Sequence, residues 1–382
     1  AADHDDSAPL RVLVAGGGVG ALETVLALRE LAGDRVQTTV LTPAAEYVDR
    51  PMTVREPFAR GRAAHYKLAA LVDDMGAELV PDSLAWVDPD LRQAHTGDGR
   101  TLDYDALVLA VGARVQAIPH ATTIDDRHLD DLLHGMLQDV EGGYLHSIAF
   151  VVPERMAWPL PIYELAMMVA ERAYDVSATV DITIVTPESA PLAVFGLGAS
   201  DGLRDLLAEA RIAVITGTVA KVPSSGRVQL GARRPDLEVG SVIALPLLFG
   251  PAIRGVPSGP HGFVPVDPYG RVTDTTRVFA VGDSCDYPIK HGGIAAQQAY
   301  AAAQVIAQLA GADVTPEPLR AELHAMLMTG GKPLYLSARA ARKTGFDSKI
   351  SEAPGWSPST KIAARYLAPF LGSHATEVVA TA

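Results

Sequence analysis

The first patterned stretch is "RVLVAGGGVGALETVLALRELAGDRVQTTVLT", Arg11 to Thr42, in which a short apolar run, a glycine turn and an amphipathic segment lead into a second apolar run. Val12 to Ala15 predict a short buried strand. Leu22, Val25 and Leu26 recur at helical spacing, and Gly33 marks the stop of that helix. The design repeats further on as "HSIAFVV", "PIYELAMMVAERA" and "VDITIVTPE", again strand, helix and strand. Two other apolar runs end in small residues: "TLDYDALVLAVGA", Thr101 to Ala113, and "TDTTRVFAVGDSCDYP", which closes on Gly282 and Asp283. After the second comes an alanine-rich helix beginning near Gly292 and Gly293. Strands alternating with helices predict an α/β chain built on parallel sheets.

In the first turn, Gly16 and Gly18 permit a sharp bend and close approach of a pyrophosphate to backbone N–H groups, while small Ala21 lets the helix pack on the strand. The phosphate then meets the positive end of the helix dipole. The second strand ends in Thr42 and Pro43, where this motif usually carries an acidic residue for the adenosine ribose. The Thr42 hydroxyl, Glu46 or a water are the alternatives for that contact.

These three segments, in this order over nearly 270 residues, resemble the FAD signature of the two-dinucleotide-domain flavoproteins, the pyridine nucleotide-disulfide reductase superfamily. Within it, "EYVDRPMTVREPFARG", "TIVTPESAPLAVFGLGASDGLRDLLAEARI" and "PIKHGG" are similar to segments of the sulfide:quinone oxidoreductase and type II NADH dehydrogenase branch, over about Arg11 to Tyr366. The resemblance implies two Rossmann-like domains, the second inserted in the first: residues 9–115 with 245–330 for FAD, 116–244 for a nicotinamide nucleotide, and a C-terminal segment, 331–382. It implies FAD contacts from Gly16, Gly18, Val19, Gly20, Ala21 and Thr42, from Arg50 and Pro51, and from Ala85. Ala110, Gly112, Ala113, Gly282 and Asp283 continue the site, with Asp283 taking hydrogen bonds from the ribityl side. Lys290, Gly293 and Ile294 complete it at the flavin's pyrimidine edge, where a helix N-terminus and the Lys290 charge would stabilise the reduced ring.

The second unit departs from its pattern at the turn. "PERMAWPLP" has no glycine, so side chains and proline rings stand where a pyrophosphate would lie, and NAD(P)H binding is doubtful. Pro161 fits the first helical turn. Trp158 reads either as an apolar wall for a small electron donor or acceptor beside the flavin, or as core filling the nucleotide's space. Family sulfide oxidation uses cysteines that carry sulfur, whereas this chain has Cys285 alone, inside the FAD motif, and Ala157 where a catalytic cysteine would stand. A lone thiol also excludes an internal disulfide or thiolate zinc site.

Composition narrows the partners. The 382 residues, 48% hydrophobic, suffice for two cores, and a net charge of −13 disfavours nucleic acid. Eleven scattered histidines do not form a metal-ligand spacing, so no metal is expected. No apolar run reaches a membrane span, and a cytoplasmic location is expected. Lys332 to Arg365 runs against the acidic trend, with seven basic residues against Asp347 and Glu352. "KIAARYLAPFL" reads as a short helix with Ile362 and Tyr366 on one face, broken by Pro369. It is either a peripheral membrane foot or, preferred here, a homodimer contact or cap. The expected function is an FAD-dependent oxidoreductase delivering electrons to a quinone-like acceptor. The rivals are an NAD(P)H dehydrogenase with an atypical loop and a non-catalytic redox sensor.

Overall fold

The computed structural model describes residues 8–155, 158–340 and 346–380. Two five-stranded sheets, each parallel throughout, carry the fold. The first runs Val278–Ala280, Ala106–Leu109, Leu10–Ala15, Val36–Leu41, Glu78–Val80. The second runs Thr122–Thr123, Ser241–Ala244, Ser147–Val151, Asp181–Val185, Ile212–Ile215. All strands of the second sheet fall in sequence between Leu109 and Val278, so the chain leaves the first sheet, completes the second and returns. Near-continuous apolar runs such as Leu107 to Leu109 suit strands covered on both faces.

On one face of the first sheet, the helices Val19–Ala32 and Gly292–Leu309 pack closely against each other. The contact is built from small residues: Ala21, Ala296, Ala299, Ala302 and Ala303 are all buried, which lets the backbones approach. A three-stranded antiparallel meander, Leu84–Asp88, Gln93–Thr96 and Thr101–Asp103, lies between strands of the first sheet in sequence.

A third sheet, antiparallel, is formed by Glu322–Leu327, Leu334–Ala340 and Phe346–Ser351. It rests on the second unit, where Gly198 and Gly202 of the helix Leu197–Glu209 leave room for Ser348 and Ile350. Of the basic stretch, Arg339 and Lys349 lie in these strands, while Arg342 and Lys343 fall outside the described residues.

The expected short helix from Lys361 is corrected. Residues 361–366 are non-helical, and the helix begins at Leu367. Pro369 sits in its first turn, where the missing N–H costs nothing, so it does not break the helix. The cause of the late start is Glu23, buried on the first helix. Its carboxylate accepts the backbone N–H groups of Arg365, Tyr366 and Leu367 at 2.7–3.2 Å, capping the helix from outside. Ile362 and Tyr366 still face the first core, but from non-helical backbone.

Lys361 is not a surface cation either. Its Nζ donates to the buried Glu164 carboxylate at 2.7 Å and to the carbonyl of half-buried Pro51 at 2.8 Å. Glu164, on the helix Leu160–Asp175, also accepts Met328 N–H at 2.9 Å. Burial pushes the Glu164 carboxyl up, and the Lys361 ammonium opposes that. Removing one member of such a pair strands the other charge, so Lys361→Ala is expected to cost about 3–5 kcal/mol in denaturant unfolding. The double variant Glu164→Leu with Lys361→Met is expected to recover most of that loss, and a single-variant loss below about 1 kcal/mol would contradict the burial.

Candidate functional site

Gly16 has φ +137°, and a Cβ there would lie 2.1 Å from the Ala110 oxygen, so only glycine fits between the first strand's end and the Thr101 to Ala113 segment. Gly16 N–H donates to Leu41 O at 2.9 Å and Ala110 N–H to Ala15 O at 2.7 Å, which draws three strand ends together. Gly18 faces open space, and no side chain caps the helix that starts after it. Exposed amides beside an open cradle are the geometry an anion needs. Gly20 lets the helix approach Val281, whose side chain would stand 3.0 Å from an added Cβ, and Val19 is half-buried at the first turn.

The other motif ends converge on the same sheet edge. Gly112, at φ +77°, has open space before it, with Ala113 half-buried beside it. Gly282, at φ +69°, donates its N–H to the buried Gln298 Oε1 at 2.8 Å, which fixes the turn that presents Asp283. Among the described residues no protein donor reaches the Asp283 carboxylate, and burial raises its pKa against the pull of Lys290. A half-buried carboxylate left without a donor, open on one side, fits a ligand with hydroxyl donors. Thr42 is buried against Gly17 and its Oγ1 accepts Ala44 N–H at 3.2 Å, whereas Glu46 is turned outward onto His65 at 3.0 Å. Of the side chains considered for the ribose contact, Thr42 is the one at the glycine loop.

Arg50 pairs with Asp126 at 3.2 Å and Pro51 is engaged through its carbonyl by Lys361, both at the start of the 3-10 segment Arg50–Phe58. Ala85 stands apart, exposed on Leu84–Asp88 of the antiparallel meander. Gly293 and buried Ile294 lie in the first turn of Gly292–Leu309, which has no side-chain cap.

Lys290 is buried, its Nζ donating to the Cys285 carbonyl and lying 4.0 Å from the Phe263 ring centroid. Burial lowers its pKa, while Asp283, Cys285 and Asp286 oppose the shift. Cys285 is buried and its thiol is pushed up to about 12, chiefly by burial, so it is an inert core residue.

In the second unit Trp158 stacks on His291 at 4.3 Å and on Phe195 at 5.7 Å, joining the second core to the residue before the helix Gly292–Leu309. His291 is buried with Nδ1 unpartnered, and burial lowers its pKa to about 3. Ala157 lies outside the described residues. Glu188, just beyond the strand Asp181–Val185, is consumed internally: Tyr163 OH donates to it at 2.6 Å, Thr186 Oγ1 at 3.0 Å and Ala193 N–H at 3.1 Å. A carboxylate so engaged has little capacity left for a nucleotide ribose.

No family model matches the chain. A curated sulfide-quinone reductase from Aquifex aeolicus is 24% identical over 263 residues, covering 63% of this chain and 59% of that protein. The match therefore spans less than two thirds of the relative. The solved sulfide:quinone oxidoreductase of Aquifex aeolicus superposes with a TM-score of 0.79 at 20% identity, covering 90% of this chain and 87% of that one. NDH2 from Plasmodium falciparum superposes with a TM-score of 0.66 at 12% identity, covering 88% and 91%.

The chain has the fold of the two-dinucleotide-domain flavoproteins. Its sequence likeness is to a sulfide-quinone reductase, as the quoted segments led us to expect, and the chain has a single cysteine.

Two outcomes follow from this geometry. Asp283→Ala is expected to weaken FAD retention about tenfold, the value of one charge-assisted hydrogen bond, read as flavin absorbance per protein after gel filtration. Full retention would remove Asp283 from the site. Cys285 in the native protein is expected to resist iodoacetamide at pH 8 and to react once unfolded, whereas rapid native labelling would refute the burial.

Proposed function

We propose that this chain is an FAD-dependent oxidoreductase that passes electrons through the flavin to a quinone-like acceptor, using neither a nicotinamide nucleotide nor cysteine-borne sulfur. The observation that carries the reading is the contrast between its two loops. Both helices start without a side-chain cap, but the first keeps open space at Gly18 whereas Trp158, Pro159 and Leu160 stand at the start of the second. Bound in the first, FAD supplies two-electron redox chemistry at its isoalloxazine ring. The glycine loop would hold the pyrophosphate, Asp283 the ribityl hydroxyls, and the N-terminus of Gly292–Leu309 with Lys290 the pyrimidine edge.

The name of the Aquifex relative supports a quinone acceptor. So does a mainly apolar cavity of about 170 Å³ beside the first residues of Leu367–Ala380, lined by Tyr47, Tyr66, Ile362, Leu367 and Leu371. Asp49 adds one polar edge, its Oδ1 buried without a partner. An apolar wall with few polar groups suits a neutral ring. Among the described residues no helix is long and apolar enough to cross a membrane, so a membrane-borne acceptor would be met from the surface. The expected peripheral foot is proposed only for Leu367–Ala380, because Lys361 is spent in the core.

The test is anaerobic mixing of the purified flavoprotein with NADH, NADPH and sulfide in turn. We expect little bleaching by any of the three, followed by rapid reoxidation of dithionite-reduced flavin by a soluble benzoquinone. Fast bleaching by a nicotinamide would overturn the closed-loop reading. In the same preparation Lys290→Met is expected to lower the flavin potential by ~30 mV or more, equivalent to about 1.4 kcal/mol for a two-electron couple. An unchanged potential would place that charge away from the ring.

A further inference from the structure

Where the second unit meets the first, a cavity of about 210 Å³ opens beside Lys290, lined by Arg155, His261, Phe263, Asp286 and Tyr287 among others. Arg155 belongs to the second unit's loop and His261 to the segment that returns to the first sheet. Arg155 Nη1 lies 2.8 Å from His261 Nδ1, and the guanidinium sits 5.0 Å over the Phe249 ring.

Both side chains are held by strained backbone. Arg155 has φ +65° and His261 φ +64°, a region that non-glycine residues enter at a cost of about 1–3 kcal/mol each. The loop around His261 is also pinched tight. Gly250 N–H donates to His261 O at 2.8 Å, and a Cβ on Gly250 would overlap Gly262 at 2.1 Å. Two left-handed residues, one on each side of the junction, thus present the guanidinium–imidazole pair to the cavity.

The charges are unbalanced in one direction. An Arg N–H must donate, so His261 Nδ1 accepts and the ring is neutral, leaving Nε2–H as a donor. Among the described residues no carboxylate lies within ion-pair distance of Arg155. Lys290 adds a second cation at the inner wall and exposed Asp286 one anion, so the cavity carries a net charge of one positive unit. Phe263, Tyr287, Leu248 and Pro288 supply an apolar flank.

We propose that this cavity is a binding site for a small organic monoanion, a carboxylate with an apolar or aromatic body, held by Arg155 and His261 against Phe263 and Tyr287. Its binding does not depend on the flavin reading above. The guanidinium fork matches a carboxylate through two parallel N–H donors, and the imidazole Nε2–H adds a third.

Benzoate serves as the probe, with benzamide as its neutral isostere and chloride as the ionic-strength control, in calorimetric titration of the flavoprotein. Benzoate is expected to bind, benzamide to bind at least tenfold more weakly, and Arg155→Gln to weaken benzoate tenfold or more with an unchanged circular dichroism spectrum. His261→Gln, which retains a donor, is expected to keep most of the affinity. Equal binding of benzoate and benzamide, or no effect of Arg155→Gln, would overturn the site. Because these titrations read binding alone, they stand or fall separately from flavin content. Benzoate is also expected to perturb the flavin absorbance, since the cavity shares Lys290 with the proposed flavin site, and binding without any perturbation would separate the cavity from the ring.

Discussion

Two buried carboxylates, one in each nucleotide unit, hold the C-terminal segment and through it the relation between the units. Glu164 takes Lys361 on one side and Glu23 takes three consecutive amides a few residues later. Burying such groups is costly, and the cost is offset only when every partner is in place. An apolar plug would tolerate sliding. An ammonium that must reach a carboxylate on one unit and the Pro51 carbonyl on the other does not. Arg365 extends the strap, its guanidinium 4.5 Å over Tyr300 on Gly292–Leu309. The helix that begins at the glycine loop and the helix that begins at Lys290's end are thus gripped by one short stretch of chain.

That grip bears on the second loop. With the units fixed, the space between Leu160–Asp175 and Gly292–Leu309 has a set width, and Trp158 fills it by stacking on His291. Glu188, Tyr163 and Thr186 meanwhile satisfy one another behind it. The unit keeps its parallel sheet because the sheet's stability comes from buried strands such as Ile148 to Val151, not from the turn. The sheet therefore does not depend on what its turn carries.

The parallel sheets, the glycine loop and the gap in the second loop were legible because each has a local signal: short apolar runs, glycines at fixed offsets, and prolines where glycines belong. Lys290 was legible as a candidate through its resemblance segment, but its burial was not. Glu23, Glu164 and Lys361 gave no signal, since a charge on an amphipathic helix reads as solvent-facing until its partner, 197 residues away for Glu164, is known. The C-terminal helix was misplaced for the same reason. Its cap comes from Glu23 across 344 residues of sequence, so local capping rules find nothing at Leu367. Arg155 and His261 were missed because their strain belongs to the backbone, and nothing in the residue letters marks a left-handed φ.

Lys290 joins these observations into one electrostatic argument. Its ammonium is held by the Cys285 carbonyl and the Phe263 ring, neither of which carries a negative charge, so its field reaches outward on both sides. On one side lies Asp283 in the motif that would hold the flavin, and on the other the cavity of Arg155 and His261. A single cation facing two anions attracts both, but the two anions repel each other across it. A bound monoanion would then oppose negative charge on a reduced ring, and by thermodynamic reciprocity a reduced ring would weaken the monoanion by the same factor. The shared lysine would thus couple occupancy of the cavity to the redox state of the proposed ring.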